Sequence, residues 1–173
     1  SSAEHSWSCL LLADYLLSKY KFKLNRTKVY ELLMYHDLVE IYAGDTPWHP
    51  KVNRKNQKKT EKRSAALLRK KLPKTMGDRF QKLFTEFLDG RTREAQFAKA
   101  VDYLDPMING IGYKKDWRGY TRKFYIMHKE KFFKKFPPAS QRIPQALRLL
   151  GKTGLYKAMI RLKILSWNIW IDG

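Results

Sequence analysis

The chain has 173 residues, 43% of them hydrophobic and 14% aromatic, which is enough for one buried core and excludes wholesale disorder. Its single cysteine, Cys9, excludes an intrachain disulfide and any multi-cysteine zinc motif, and fits a reducing compartment. The net charge of +20 favours anionic ligands (nucleotides, nucleic acid, acidic protein or anionic lipid) without choosing among them.

That charge is uneven. Residues 1–50 carry five basic and six acidic side chains, residues 51–107 sixteen against seven, and residues 108–173 fifteen against three. The chain opens at Ser1 without an initiator Met, as a fragment would. No basic-then-apolar leader pattern is present. The longest apolar stretch, 160–171, is interrupted by Arg161, Lys163 and Asn168, so no transmembrane segment is expected. A cytoplasmic protein is the default expectation.

Ser1 and Glu4 have the spacing of a capping box, in which hydroxyl and carboxylate serve each other's backbone N–H. Trp7, Leu10, Leu11, Ala13, Leu17 and Tyr20 then recur near helical spacing and predict a first helix to about Lys19. Asn25 is placed to cap a second helix, with Val29, Leu32, Leu33, His36 and Glu40 on one face, running to Ala43-Gly44. Residues 46–50 form a loop around two prolines.

Residues 51–71 hold ten basic side chains and one acidic, Glu61. The later part, 60–72, predicts a helix burying Ala65, Leu68 and Leu72, broken by Pro73. Residues 78–88 predict another, with Phe80, Leu83, Phe84 and Phe87 at core spacing. Thr92 caps a further helix carrying Ala95, Phe97, Ala98, Val101, Asp102 and Leu104, with Pro106 expected at a bend or end. Residues 122–136, 143–150 and 155–167 have helical patterns, and β-alternation is absent. The fold class is therefore all-α. The organisation expected is one helical-bundle domain over residues 1–150, followed by a basic amphipathic helix within 151–173 that packs back on it.

Three of these helices carry a metal-ligand residue type where a core residue belongs. His36 and Asp37 are adjacent on an apolar helix, His5 interrupts the first helix, and Asp102 interrupts the face of Phe97, Ala98 and Val101. Burying an imidazole beside a carboxylate is costly unless both are paired or bound to metal. Adjacent helical residues point ~100° apart, so His36 and Asp37 can border one cavity, and Glu40 overhangs it one turn later. Asp45 follows just after the helix, at the rim. Two imidazoles and two carboxylates suit one divalent ion such as Mn, Co, Fe, Zn or Mg. Such an ion polarises a phosphoryl group and acidifies water, and a neighbouring carboxylate moves the proton.

The phrases Ser2-Ala3-Glu4-His5-Ser6-Trp7, His36-Asp37-Leu38-Val39-Glu40 continuing through Ala43-Gly44-Asp45, and Lys99-Ala100-Val101-Asp102 resemble the H…HD…D arrangement of the HD superfamily of metal-dependent phosphohydrolases. The branch most similar is that of the HD-domain deoxyribonucleoside 5′-monophosphatases, and the resemblance covers roughly residues 2–150. It implies an HD-domain helical bundle with His5, His36, Asp37 and Asp102 as metal ligands. It also implies that Glu40 is the carboxylate near the attacking water and that Asp45 shapes the pocket. Nucleoside or deoxynucleoside 5′-monophosphates are the implied substrates, and a homodimer the implied assembly. The relatives carry an arginine before the Ala-Glu-His phrase, suited to the substrate phosphate; this chain begins after that point. Phosphate is then expected to meet Lys51, Arg54 or Lys55, and Trp48 to stack on the base.

Two other functions stay open at this level. The first is a basic nucleic-acid-binding module on the same scaffold, whose binding would weaken steeply with salt. The second is an HD phosphodiesterase for another phosphoester, such as a cyclic dinucleotide or alarmone. His49 and His128 read as exposed histidines, and Lys99 as a partner of Asp102, a phosphate contact or a solvated side chain.

Overall fold

The computed structural model describes residues 1–44 and 56–111. Among them are six helices and no strand: α1 (Ser2–Tyr20), α2 (Arg26–Tyr35), α3 (Glu40–Ala43), α4 (Gln57–Lys71), α5 (Lys74–Asp89) and α6 (Arg93–Ile111). The all-α expectation holds. The predicted helices at 122–136, 143–150 and 155–167 lie outside the described residues, as does the segment 151–173.

Local chemistry sets the helix ends. Ser1 and Glu4 form the reciprocal capping box at the start of α1. Asn25 caps α2 by accepting from Lys28 N at 3.0 Å, and Thr92 caps α6 by accepting from Ala95 N at 3.2 Å. Pro73 separates α4 from α5, its extended backbone turning the chain back so that the two helices pair. Gly90 closes α5 at φ +60°, a conformation that costs an L side chain strain.

Four sequence-derived details need correction. The helix expected from Asn25 to Gly44 is two helices, because residues 36–39 form turns. Bonds such as Glu40 N to Asp37 O (2.9 Å) and Tyr42 N to Val39 O (3.1 Å) tighten the chain there to a three-residue repeat. Apolar periodicity survives such a break, so the sequence did not reveal it. The buried stripe of α1 runs through Ser8, Cys9, Leu12, Ala13, Leu16 and Leu17, which leaves Trp7 exposed. Of the two placements expected for Pro106, a bend or an end, the end is overturned, because α6 continues to Ile111 with Pro106 inside it. Finally, α4 and α5 begin three and four residues earlier than expected, at Gln57 and Lys74.

The core gathers Leu12, Leu16, Leu32, Leu33, Val29, Phe80, Phe97, Val101, Leu104 and Ile108, each 2% exposed or less. α2 lies at its centre and touches α1, α5 and α6, and α1 also packs on α6. α4 packs against α3 and α5 and adds Ala65 and Leu68 to the core. The amino-terminal turns of α1, the end of α2 and the middle of α6 therefore meet in one region of the bundle. The ligand-type residues lie there.

Candidate metal centre

His5 sits on the second turn of α1, His36 is the C-cap of α2, Asp37 begins the turn after it, and Asp102 lies on α6. The fold brings these four together although nearly a hundred residues separate the first from the last. His5 Nε2 is 3.1 Å from Asp102 Oδ1 and 3.7 Å from Asp37 Oδ2. His36 Nε2 is 3.3 Å from Asp37 Oδ2 and 3.8 Å from Asp102 Oδ1. The two imidazole rings stand 5.4 Å apart, tilted at 56°, and Phe87 of α5 backs His36 at 5.1 Å.

The two rings are held from behind in the same sense. His36 Nδ1 donates to Leu33 O at 2.7 Å, which leaves Nε2 as the atom with the lone pair. His5 Nδ1 is bonded to Asp105 Oδ2 at 2.8 Å. Each ring therefore turns Nε2 toward the other and toward the two carboxylates. Burial pushes the His36 pKa below its ordinary value, so this ring is neutral. Burial also disfavours a charged His5, but hydrogen bonds to Asp102 and Asp105 outweigh it and raise that pKa.

The His36 side of this arrangement is incomplete. Its Nε2 is buried and makes no hydrogen bond; the approach to Asp37 at 3.3 Å fails as one, because a lone pair there faces a carboxylate oxygen, itself an acceptor. Leaving a buried acceptor unsatisfied costs ~1–3 kcal/mol. A divalent cation would satisfy this nitrogen and the carboxylates together, so the donor set fits the one that the sequence suggested.

Neighbouring side chains fix the surroundings. Glu40, the first residue of α3, accepts from Ser2 Oγ at 2.5 Å, which ties the turn after Asp37 to the start of α1. Cys9 Sγ lies 3.7 Å from His5 Nε2, and its ligand atom clusters with those of His5 and His36 within 4.8 Å. Burial pushes that thiol up to about 12, so Cys9 fills space as a small apolar group. Lys99 reaches the end of α5, where it donates to Leu88 O at 3.1 Å.

Residues 1–140 match the family model described as HD domain. The chain belongs to the HD domain family. The curated 5'-deoxynucleotidase HDDC2 of Dictyostelium discoideum is 25% identical to it over 93 residues, or 54% of this chain and 49% of that protein. The chain thus spans about half the length of this relative. The crystal structure of a predicted metal-dependent phosphohydrolase from Magnetospirillum magnetotacticum MS-1 superposes with a TM-score of 0.68. It is 29% identical and covers 91% of this chain and 79% of that one.

Within this HD domain, sequence reasoning singled out five residues that the structure brings to one region of the bundle: His5, His36, Asp37, Glu40 and Asp102. Asp45, Trp48, Lys51, Arg54 and Lys55 lie outside the described residues, as do His49 and His128. Sequence reasoning missed Asp105, Ser8 and Ser2. Asp105 follows Asp102 by one helical turn, so a second carboxylate on the same inward face was the available signal. The two serines gave none, because a serine on the first turns of a helix is ordinarily a solvated one.

Proposed function

We propose that this chain is a metal-dependent phosphohydrolase acting on phosphate monoesters, with nucleoside or deoxynucleoside 5′-monophosphates as its substrates. The observation that carries this reading is the unpartnered Nε2 of His36, directed at the carboxylates of Asp37 and Asp102 beside His5. A neutral nitrogen lone pair and two carboxylates converge there, a set of donors that a divalent cation would complete. The similarity to the Magnetospirillum protein supports the reaction class, and that to the Dictyostelium protein supports the substrate class.

His5, His36, Asp37 and Asp102 would hold one divalent cation, such as Mn, Co, Fe, Zn or Mg. Bound there, it would act as a Lewis acid toward a phosphoryl oxygen and lower the pKa of water. Glu40 is fixed by Ser2 at the edge of this cluster and has the role of proton carrier between water and leaving group. From the sequence and the family resemblance, Asp45 would shape the substrate pocket, Lys51, Arg54 and Lys55 would meet the substrate phosphate, and Trp48 would stack on the base.

α4 adds a field of the required sign. Lys58, Lys59, Lys62, Arg63 and Lys70 are all exposed, and α4 has a single acidic residue, Glu61. Such a surface raises the local concentration of anionic substrate and loses this effect as salt rises.

Phosphate release from a panel of nucleoside monophosphates tests the reading, using metal-stripped protein resupplied with Mn, Co, Mg or Zn. Release is expected only with metal, is expected to favour one base or sugar, and is expected to vanish in Asp37→Ala. Metal-independent release, or an Asp37→Ala protein as active as the wild type, would refute it.

A further inference from the structure

Asp105 is 1% exposed, the most deeply buried charged side chain among the described residues. A carboxylate so placed is costly unless paired and hydrogen-bonded. Both of its oxygens are engaged. Oδ2 lies 2.8 Å from His5 Nδ1, and Oδ1 accepts a short hydrogen bond from the Ser8 hydroxyl. Ser8 is itself buried.

The spacing on the two helices matches. His5 and Ser8 are one turn apart on α1, and Asp102 and Asp105 are one turn apart on α6. The His5 ring spans both carboxylates, with Nε2 at 3.1 Å from Asp102 and Nδ1 at 2.8 Å from Asp105. Ser8 holds Asp105 from the far side. His36 is oriented differently, by the neutral carbonyl of Leu33. The two imidazoles are therefore unequal, since a carboxylate behind Nδ1 makes Nε2 a stronger donor than a carbonyl does.

We propose that Asp105, held by Ser8, is a positioning residue that locks the His5 ring with Nε2 facing His36, Asp37 and Asp102, and so sets the affinity of this centre for its cation. The inference rests on the metal-centre reading above. It assigns to Asp105 and Ser8 a task that neither performs by touching cation or substrate. The buried charge is retained because His5 would otherwise be free to rotate about χ2 or to offer Nδ1 in place of Nε2.

The test is metal affinity of the full chain, measured by competition with a chromophoric chelator, beside thermal melting of the metal-free protein. The variants are Asp105→Asn, Ser8→Ala, His5→Gln, the double variant H5Q/D105N, and Asp37→Asn as the control for the centre itself. Asp105→Asn is expected to weaken binding by roughly 10- to 100-fold, the usual effect of removing a partner behind a ligand. Ser8→Ala is expected to shift affinity in the same direction by less. In the His5→Gln background, Asp105→Asn is expected to change nothing further, because its effect passes through that ring.

Wild-type affinity in folded Asp105→Asn overturns the proposal, as do additive losses in the double variant. Should Asp105→Asn not fold, Ser8→Ala decides: weaker binding supports the proposal and unchanged binding overturns it. An Asp37→Asn protein that binds metal as tightly as the wild type instead overturns the metal-centre reading, and the proposal with it.

Discussion

Replacing His36 with leucine removes a buried side-chain nitrogen that has no hydrogen-bond partner among the described residues. In the metal-free protein this relieves an unsatisfied acceptor worth ~1–3 kcal/mol and sacrifices the Nδ1 bond to Leu33 O, worth about 0.5–1.5 kcal/mol. The new side chain packs against Phe87, which already lies 5.1 Å from the ring. The balance is neutral to stabilising by about 1–2 kcal/mol, which raises Tm by ~2–4 °C per kcal/mol in a chain of this length. With metal present the order reverses. At a concentration one hundred times Kd a bound ion stabilises the wild type by about 2.7 kcal/mol, and His36→Leu forgoes this. Thermal melts of both proteins, with chelator and with saturating Mn or Zn, read the two effects separately. A metal-free His36→Leu protein that melts well below the wild type, or one that keeps the full metal-induced rise, would refute the argument that this nitrogen is held in reserve for a cation.

Metal binding is expected to strengthen as pH rises. The His5 pKa lies above its ordinary value of 6.5, so the ring carries a proton that the cation must displace from Nε2. Calorimetry in buffers of different ionisation enthalpy should show proton release; its absence would place His5 outside the centre. Without metal the sign inverts. The stability that the charged ring contributes is complete below 6.5 and is lost as pH climbs through the raised folded value. Gly77→Ala should destabilise the protein despite the better helix propensity of alanine. A Cβ at Gly77 would sit 2.5 Å from the backbone oxygen of Arg69 in α4. The propensity gain of about 0.8–1 kcal/mol is outweighed by about 1–3 kcal/mol of overpacking. A Tm equal to or above that of the wild type would show that α4 moves aside freely.

Much of the bundle is written in short-range signals. Ser1, Asn25 and Thr92 cap the helices that their spacing announces, and Phe80, Leu83, Phe84 and Phe87 line the face that their period demands. His5, His36, Asp37 and Asp102 stood out because each breaks an apolar pattern at a price that needs a reason. Asp105 did not, since a carboxylate beside Pro106 reads as the polar end of a helix. Only the packing of α1 on α6 shows that it is buried against Ser8. The turn at 36–39 was hidden for a different cause. Tightening from a four- to a three-residue hydrogen-bond step leaves the apolar face almost unrotated, and no glycine or proline marks it. Trp7 misled in the opposite direction, as a large apolar side chain that the fold leaves outside.

The position of α4 sets an order of opening within the fold. It rests on α3 and α5, while the ligand-type residues belong to α1, the end of α2 and α6, all packed around the centre. Amide protons in α4 can therefore exchange with solvent through a partial opening that leaves the metal-binding region closed, whereas those of α2, enclosed by three helices, wait for global unfolding. Among the described helices, basic α4 can yield to an anionic surface while His5, His36, Asp37 and Asp102 stay in place, and such yielding would loosen α3, which carries Glu40.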